Sequence, residues 1–370
     1  EIASCLVGSE MCIRDRVDES TGIYQFQGAM TVIDNETGKV VAMIGGRSQD
    51  ELQQTYSLNR GFQSFKQPGS SIKPLVIYTP ALEEGYDANS TLTEIDVKAA
   101  KKSTSEKISK MSGKKMSLRY AVEDSKNGCA YSLYNIITPK VGLSYIENMN
   151  FSKIVQQDYT LSSGLGGLHH GTNTVEMANA YSTLENHGEY RQADCISSIL
   201  DASGNEIYEE PESKTVYTRS ASDQMTDILE GVLNSSAGTA KGLKWSSASD
   251  VAAAAKTGTT NDNNVAWFCG YTPYYTISVW VGYDYPKSVK GLWGNTYPAY
   301  IWKEAMLYMI DGKDEADFDL EGKKATGNKN VISDEDDSSA PEESTDTSVT
   351  NPDDAQNTTC LLYTSDAADD

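Results

Sequence analysis

In "QPGSSIKPLVIYTPALEEG", residues 67–85, a Pro-Gly turn runs into an apolar segment carrying two serines and a lysine. On a helix, side chains at i and i+3 share one face, so the Lys73 amine can reach the Ser70 oxygen. A helix start also leaves backbone N–H groups free to stabilise a developing oxyanion. That would make Ser70 a nucleophile with lysine as its base. Histidine, the usual base, is scarce: the chain has only His169, His170 and His187. The plainer reading is a helix-capping serine followed by an exposed lysine. Ser-x-x-Lys also recurs at Ser112 and Lys115, and about one or two chance matches are expected in a chain this long. Context separates the copies, because Ser112 lies in the basic, polar run "AKKSTSEKISKMSGKK" (100–115), which reads as a surface loop.

Two further patterns lie downstream. Ser-x-Asn occurs at Ser57, Ser125 and Ser203. Ser203 sits in the turn signal "DASGNE", and Ser57 stands too close before Ser70. Ser125-Lys126-Asn127 falls where a helical pattern breaks, a place from which side chains can be aimed into a cleft; taken alone it could equally be a capped loop. Lys-Thr-Gly occurs once, at Lys256-Thr257-Gly258, followed by Thr259 and Thr260, after the small-residue run "VAAAA". Gly258 would let a ligand approach the strand backbone closely. By itself the tripeptide could be a hairpin turn with an exposed lysine.

Ser-x-x-Lys, Ser-x-Asn and Lys-Thr-Gly, in that order, are the set shared by penicillin-binding proteins and class A β-lactamases. From about Gly28 to Ile310 the chain resembles the transpeptidase domain of class A, bifunctional penicillin-binding proteins. The likeness extends to "SLNRGFQSFKQPGSSIKPL", "LSSGLGGLHHGTNTVEMANAYSTLENHGEY" and "KTGTTNDNNVAWFCGYTPYYTISVWVGYD". It implies an α+β fold with an antiparallel sheet of about five strands packed on helices. It also implies a division of labour. Ser70 attacks, Lys73 is the base, Ser125 relays a proton to the leaving group and Lys256 polarises it. Asn127 orients Lys73 and binds the substrate amide, while Thr257, Gly258 and Thr259 line the substrate strand, the two hydroxyls holding the donor carboxylate. The Ser70 and Thr259 N–H groups form the oxyanion hole. The implied partners are D-Ala-D-Ala stem peptides, an amine acceptor and β-lactams, with no metal or organic cofactor.

Lys73 must spend time neutral, against an ordinary pKa of about 10.4; burial and a second cation, Lys256, both push it down. A serine β-lactamase would need a glutamate-activated water a few tens of residues after Ser125, and no Glu-x-x-Leu-Asn pattern stands there; the nearest text is "ENMNF" at Glu147. A non-catalytic β-lactam sensor is the other alternative.

The elements that must position these groups follow from patterning. Gln27–Gly46 reads as a hairpin about Asn35–Gly38. Apolar Leu75, Ile77, Tyr78, Ala81 and Leu82 read as a buried helix with Pro74 in its first turn. Residues 117–142 read as two helical pieces broken near Lys126–Gly128. "GTNTVEMANAYSTLENHGEY" is a helix ended by Gly188, and "SASDQMTDILEGVLNSSAGTA" another, capped by Ser222 or Asp223. "VAAAAKTGTT", "VAWFCGYT" and "YTISVWVGYD" are strands. Strands at both ends with helices between suggest one sheet closed by the termini.

The formal net charge of −22 argues against nucleic acid as a partner, since phosphate binding needs basic patches. Nine of the acidic residues fall between 333 and 359, where there is no Lys or Arg, so 313–359 is expected to be a solvated tail. Residues 1–16 and 360–370 resemble translated adapter sequence and are read as foreign to a domain spanning 17–312. Setting them aside leaves Cys129, Cys195 and Cys269, whose spacing suggests neither disulfides nor a zinc site. A membrane anchor and a glycosyltransferase domain are expected upstream, on the cell-wall side of a bacterium, with the acidic tail pointing to a Gram-positive one.

Overall fold

The computed structural model describes residues 16–20, 22–47, 57–260 and 262–321; apart from Arg16, the adapter-like ends lie outside these, as does most of the expected tail. The N-terminal hairpin forms as β1 (Phe26–Asp34) and β2 (Val40–Ile44). Next come a 3₁₀ turn, Gly69–Ile72, a π-helical turn, Pro74–Tyr78, and α1 (Thr79–Glu83). Then follow β3 (Thr91–Glu94), α2 (Val97–Ala100), α3 (Ser105–Ser109) and β4 (Lys114–Ser117). Helices α4 (Leu118–Glu123), α5 (Asn127–Ile137), α6 (Pro139–Asn148) and α7 (Thr174–Glu185) come after these. A short pair, β5 (Glu189–Tyr190) and β6 (Lys214–Thr215), precedes α8 (Arg219–Asn234). The chain closes with β7 (Ala254–Thr259), β8 (Val265–Tyr271), β9 (Tyr275–Tyr283) and α9 (Tyr297–Met309).

Five strands form one antiparallel sheet in the order β2-β1-β9-β8-β7. β1 pairs with β9 along its whole length, Phe26 opposite Tyr283 and Asp34 opposite Tyr275, which joins the two ends of the domain. Strands β8 and β9 are buried almost throughout because both faces of the sheet are covered. The two-residue side-chain period divides the work. Phe268 packs against Trp302 of α9 at a centroid distance of 5.2 Å, while Tyr271, of opposite parity, faces Tyr181 of α7. β7 is left as an edge strand.

Three expectations do not survive the fold. The basic run 100–115 is not a plain loop: it contains α3 and leads into β4, and Ile108 packs with Ile95, Ala100 and Tyr131 in a small apolar cluster of its own. The cap of α8 is Thr218, which accepts from Ala221 N–H, so Ser222 and Asp223 lie buried inside the helix. Residues 313–321, expected in the tail, run along the body: Ala252 N–H donates to Ala316 O, Phe318 is buried against Tyr271, and Glu321 N–H donates to Asp223.

Candidate active site

The Ser70 segment is helical, but not a plain α-helix. Pro74 and Pro80 lack the N–H donors that an α register would use, and the segment passes from 3₁₀ through π to α geometry. Two buried tyrosines satisfy its carbonyls: Tyr181 Oη donates to Ser71 O and Tyr217 Oη to Leu75 O, each at 2.6 Å. Residues 71–82 are all buried. Ser70 alone of the serine pair is partly exposed; Ser71 is buried and donates to Pro68 O at 2.7 Å.

Gly69 has φ +55°, the left-handed region that favours glycine, and a Cβ there would sit 2.6 Å from Thr259 O and 3.0 Å from Thr259 N. The turn bearing Ser70 therefore lies directly on the end of β7. Gly258 completes the fit: its Cβ would meet Pro68 O at 2.4 Å. The close approach expected at Gly258 is thus made by the chain's own Ser70 turn rather than left open for a ligand.

Lys73 is fully buried and makes its bonds across the cleft. Its Nζ donates to Ser125 O and Asn127 Oδ1, both at 2.7 Å, and lies 3.5 Å from Ser125 Oγ. The direct bond expected between Lys73 and Ser70 is replaced by these, and the Ser70 hydroxyl has no hydrogen-bond partner among the described residues. Ser125 sits between α4 and α5 at φ +58°, a rare backbone conformation for a serine, which turns its side chain inward. Its Oγ receives Lys256 Nζ at 2.8 Å. Asn127 opens α5. The spacing of the three motifs is thereby converted into one contiguous group: Lys73, Ser125, Asn127 and Lys256.

Both amines are displaced from their ordinary pKa. Burial pushes Lys73 well down, and the neighbouring Lys256 charge pushes it further. Burial lowers Lys256 to about 7, opposed by the Asp124 carboxylate. Glu94 acts weakly on Lys73 in the other direction.

Alternation along β7 puts Thr257 and Thr259 on the face opposite Lys256 and Gly258. Thr257 Oγ1 lies 2.9 Å from Thr239 Oγ1, and Thr259 Oγ1 accepts from Gly294 N–H at 2.9 Å. These neighbours, and the residue that ties Thr239 to α4, escape sequence reasoning. Glu123 is buried, accepts from Ser235 Oγ at 2.7 Å and offers its carbonyl to Thr239 N–H at 3.1 Å. Burial raises its pKa. It ties the Ser125 helix to the turn beside β7, yet "YAVEDS" and "SSAGTA" carry no spacing signal that would connect them.

The three histidines take no part in this group. His187 pairs with Asp223 at 2.7 Å, and His169 and His170 pack edge to face. Cys129 is buried in the core with its thiol pushed up to about 12, which leaves it an inert packing residue. No group of side chains suited to a metal occurs among the described residues.

The penicillin binding protein transpeptidase domain model matches residues 28–307. The chain belongs to the penicillin-binding protein transpeptidase family. Its curated relatives include penicillin-binding protein 4 of Bacillus subtilis, 32% identical over 75% of this chain and 43% of that protein. Penicillin-binding protein 1A of Clostridium perfringens is 29% identical over 73% of this chain and 41% of its own length. The chain thus spans less than half the length of these class A relatives. Among solved structures, penicillin-binding protein 1A from Haemophilus influenzae superposes with a TM-score of 0.66 at 21% identity, covering 80% of this chain and 49% of that one. The PonA1 protein from Mycobacterium tuberculosis in complex with penicillin V gives 0.62 at 22%, covering 80% of each chain. The five-stranded α+β fold expected from the sequence is this family's fold, and its enzyme class is the serine D-Ala-D-Ala transpeptidase/carboxypeptidase.

Proposed function

We propose that this domain crosslinks peptidoglycan by acyl transfer through Ser70. The observation that supports it is the convergence of two buried amines, Lys73 and Lys256, on Ser125 beside a partly exposed serine with no hydrogen-bond partner among the described residues. A neutral lysine amine has two protons and one lone pair. The two 2.7 Å bonds from Lys73 to Ser125 O and Asn127 Oδ1 use the protons. The lone pair is then available for a hydroxyl proton, which is what a base requires.

In the first half-reaction Ser70 Oγ bonds to the carbonyl carbon of the D-Ala-D-Ala link and its proton passes to Lys73. The tetrahedral oxyanion is held by the Ser70 and Thr259 N–H groups. The C–N bond then breaks, and terminal D-Ala leaves with a proton delivered through Ser125, whose oxygen Lys256 polarises. In the second half-reaction an amine of a neighbouring strand attacks the ester, loses its proton to the same base and releases Ser70. Asn127 binds the donor amide, and Thr257 and Thr259 hold the donor carboxylate. β-Lactams enter as donor mimics and leave a persistent ester on Ser70. In the cell we place this chemistry on the wall side of a bacterial membrane, as one part of a longer class A protein carrying an anchor and a glycosyltransferase; no described helix is itself long and apolar enough to span a bilayer.

Labelling with a fluorescent penicillin followed by peptide mapping tests the assignment. The label is expected on Ser70, lost in Ser70→Ala and kept in Ser71→Ala, and a stem-peptide donor should release D-Ala. A label on another residue refutes Ser70 as the nucleophile and, with it, the roles of the groups around it.

A further inference from the structure

The face of β7 turned away from Lys256 carries a second polar group, assembled from three separate segments. Thr239 follows α8 and faces Thr257 across the 2.9 Å hydroxyl contact. Gly294, beyond β9, lies flat on the strand: a Cβ there would be 2.8 Å from both Gly258 N and Gly258 O. Its neighbour Asn295 donates from Nδ2 to Thr239 O at 3.0 Å. Lys256 is the one cation bonded to this group among the described residues, through Thr257 O at 3.3 Å. No guanidinium among those residues supplies a bidentate clamp, so hydroxyl protons must do most of the recognition.

A threonine hydroxyl has one proton and two lone pairs, whereas a carboxylate only accepts. Thr259 Oγ1 already accepts the Gly294 N–H, which leaves its proton for the ligand. Thr257 can do the same only if Thr239 is the donor in their shared bond. In the other direction, Thr257 spends its proton on Thr239 and presents lone pairs to an anion. With Thr239 as donor, each bond polarises the next along Thr239, Thr257 and the anion.

We propose that Thr239 is a specificity-determining positioning residue. Its hydroxyl, together with the Gly294 N–H, keeps Thr257 and Thr259 as donors, so that the cleft favours a free carboxylate over its ester or amide. The inference rests on the acyl-transfer reading of the site. It extends carboxylate selection to a residue 18 positions upstream of Thr257 and to a loop beyond the sheet.

The test compares acylation of Ser70 by benzylpenicillin and by its methyl ester, in the 370-residue chain and its Thr239→Val and Thr239→Ser variants. Valine keeps the shape and removes the proton. Thr239→Val is expected to slow acylation by the acid about fivefold, the size of one neutral hydrogen bond, because Thr257 keeps its proton but loses the bond that orients and polarises it. The ester should change by less than about twofold, and Thr239→Ser should restore the preference. Equal losses for acid and ester would mark a merely structural role, and no loss with the acid would dismiss the residue; either result overturns the proposal. Unchanged thermal midpoints guard against misfolding. A wild-type chain that leaves Ser70 unlabelled by either compound would instead fail the acyl-transfer reading, and this inference with it.

Discussion

Ser70…Lys73 and Ser112…Lys115 are the same four-residue pattern in two different settings. Lys73 is fully buried between the Ser70 turn and β7, with its amine on Ser125 and Asn127. Lys115 is exposed on β4, opposite Thr93, and Ser112 is an exposed residue just before that strand. In the first copy, helical geometry keeps serine and lysine on one side. In the second, a two-residue period and open solvent separate them. Spacing becomes chemistry only where the backbone holds both groups at one face and the surroundings remove water from the amine.

The sharpest way to break this contrast is to treat both lysines alike. Lys73→Met is expected to slow penicillin acylation by about a thousandfold or more, within the range of a lost general base. Lys115→Met should leave the rate within about twofold, as for surface substitutions. Second-order labelling rates decide, and equal effects would erase the distinction.

A smaller effect is expected at the contact that seats Lys73's helix. Gly258→Ala places a methyl 2.4 Å from Pro68 O. It should lower stability by about 1–3 kcal/mol as an overpacking change and slow acylation, because β7 must retreat from the Ser70 turn. Thermal unfolding alongside labelling checks both, and a fully active, unshifted variant would show that the contact positions nothing.

The remaining effect is in the pH dependence of stability. Lys256 titrates at about 7 in the fold and near the ordinary value of about 10.4 when unfolded. Between these limits the unfolded chain holds more protons, so stability should rise with pH through that window, by at most about 1.4 kcal/mol per unit for one group. Lys73 is shifted in the same direction and adds to the slope. Lys256→Gln should flatten the thermal midpoint against pH from about 7 to 10, the span between those two values. An unchanged slope would mean that the buried amine keeps its charge.

Much of the fold could be read from local pattern. The hairpin, the three C-terminal strands and the helix over 174–185 follow from apolar period and turn residues, which are encoded residue by residue. The basic run 100–115 misled because its few apolar residues, Ile108 above all, find their partners far away in Ile95 and Tyr131. The cap of α8 was displaced from Ser222 or Asp223 to Thr218 because several hydroxyl and acidic residues in close succession each look like a start. The 3₁₀ and π turns that carry Ser70 and Lys73 have carbonyls satisfied by Tyr181 and Tyr217, more than a hundred residues away.

The order and type of Ser70, Lys73, Ser125, Asn127 and Lys256 are set by the chain itself, because each motif is a few residues long and its local geometry is built in. Which lysine is buried, where its amine points, and that Glu123, Thr239 and Gly294 brace the cleft were decided by packing. Desolvation and hydrogen-bond direction depend on atoms brought from distant segments, and no short stretch of sequence carries them.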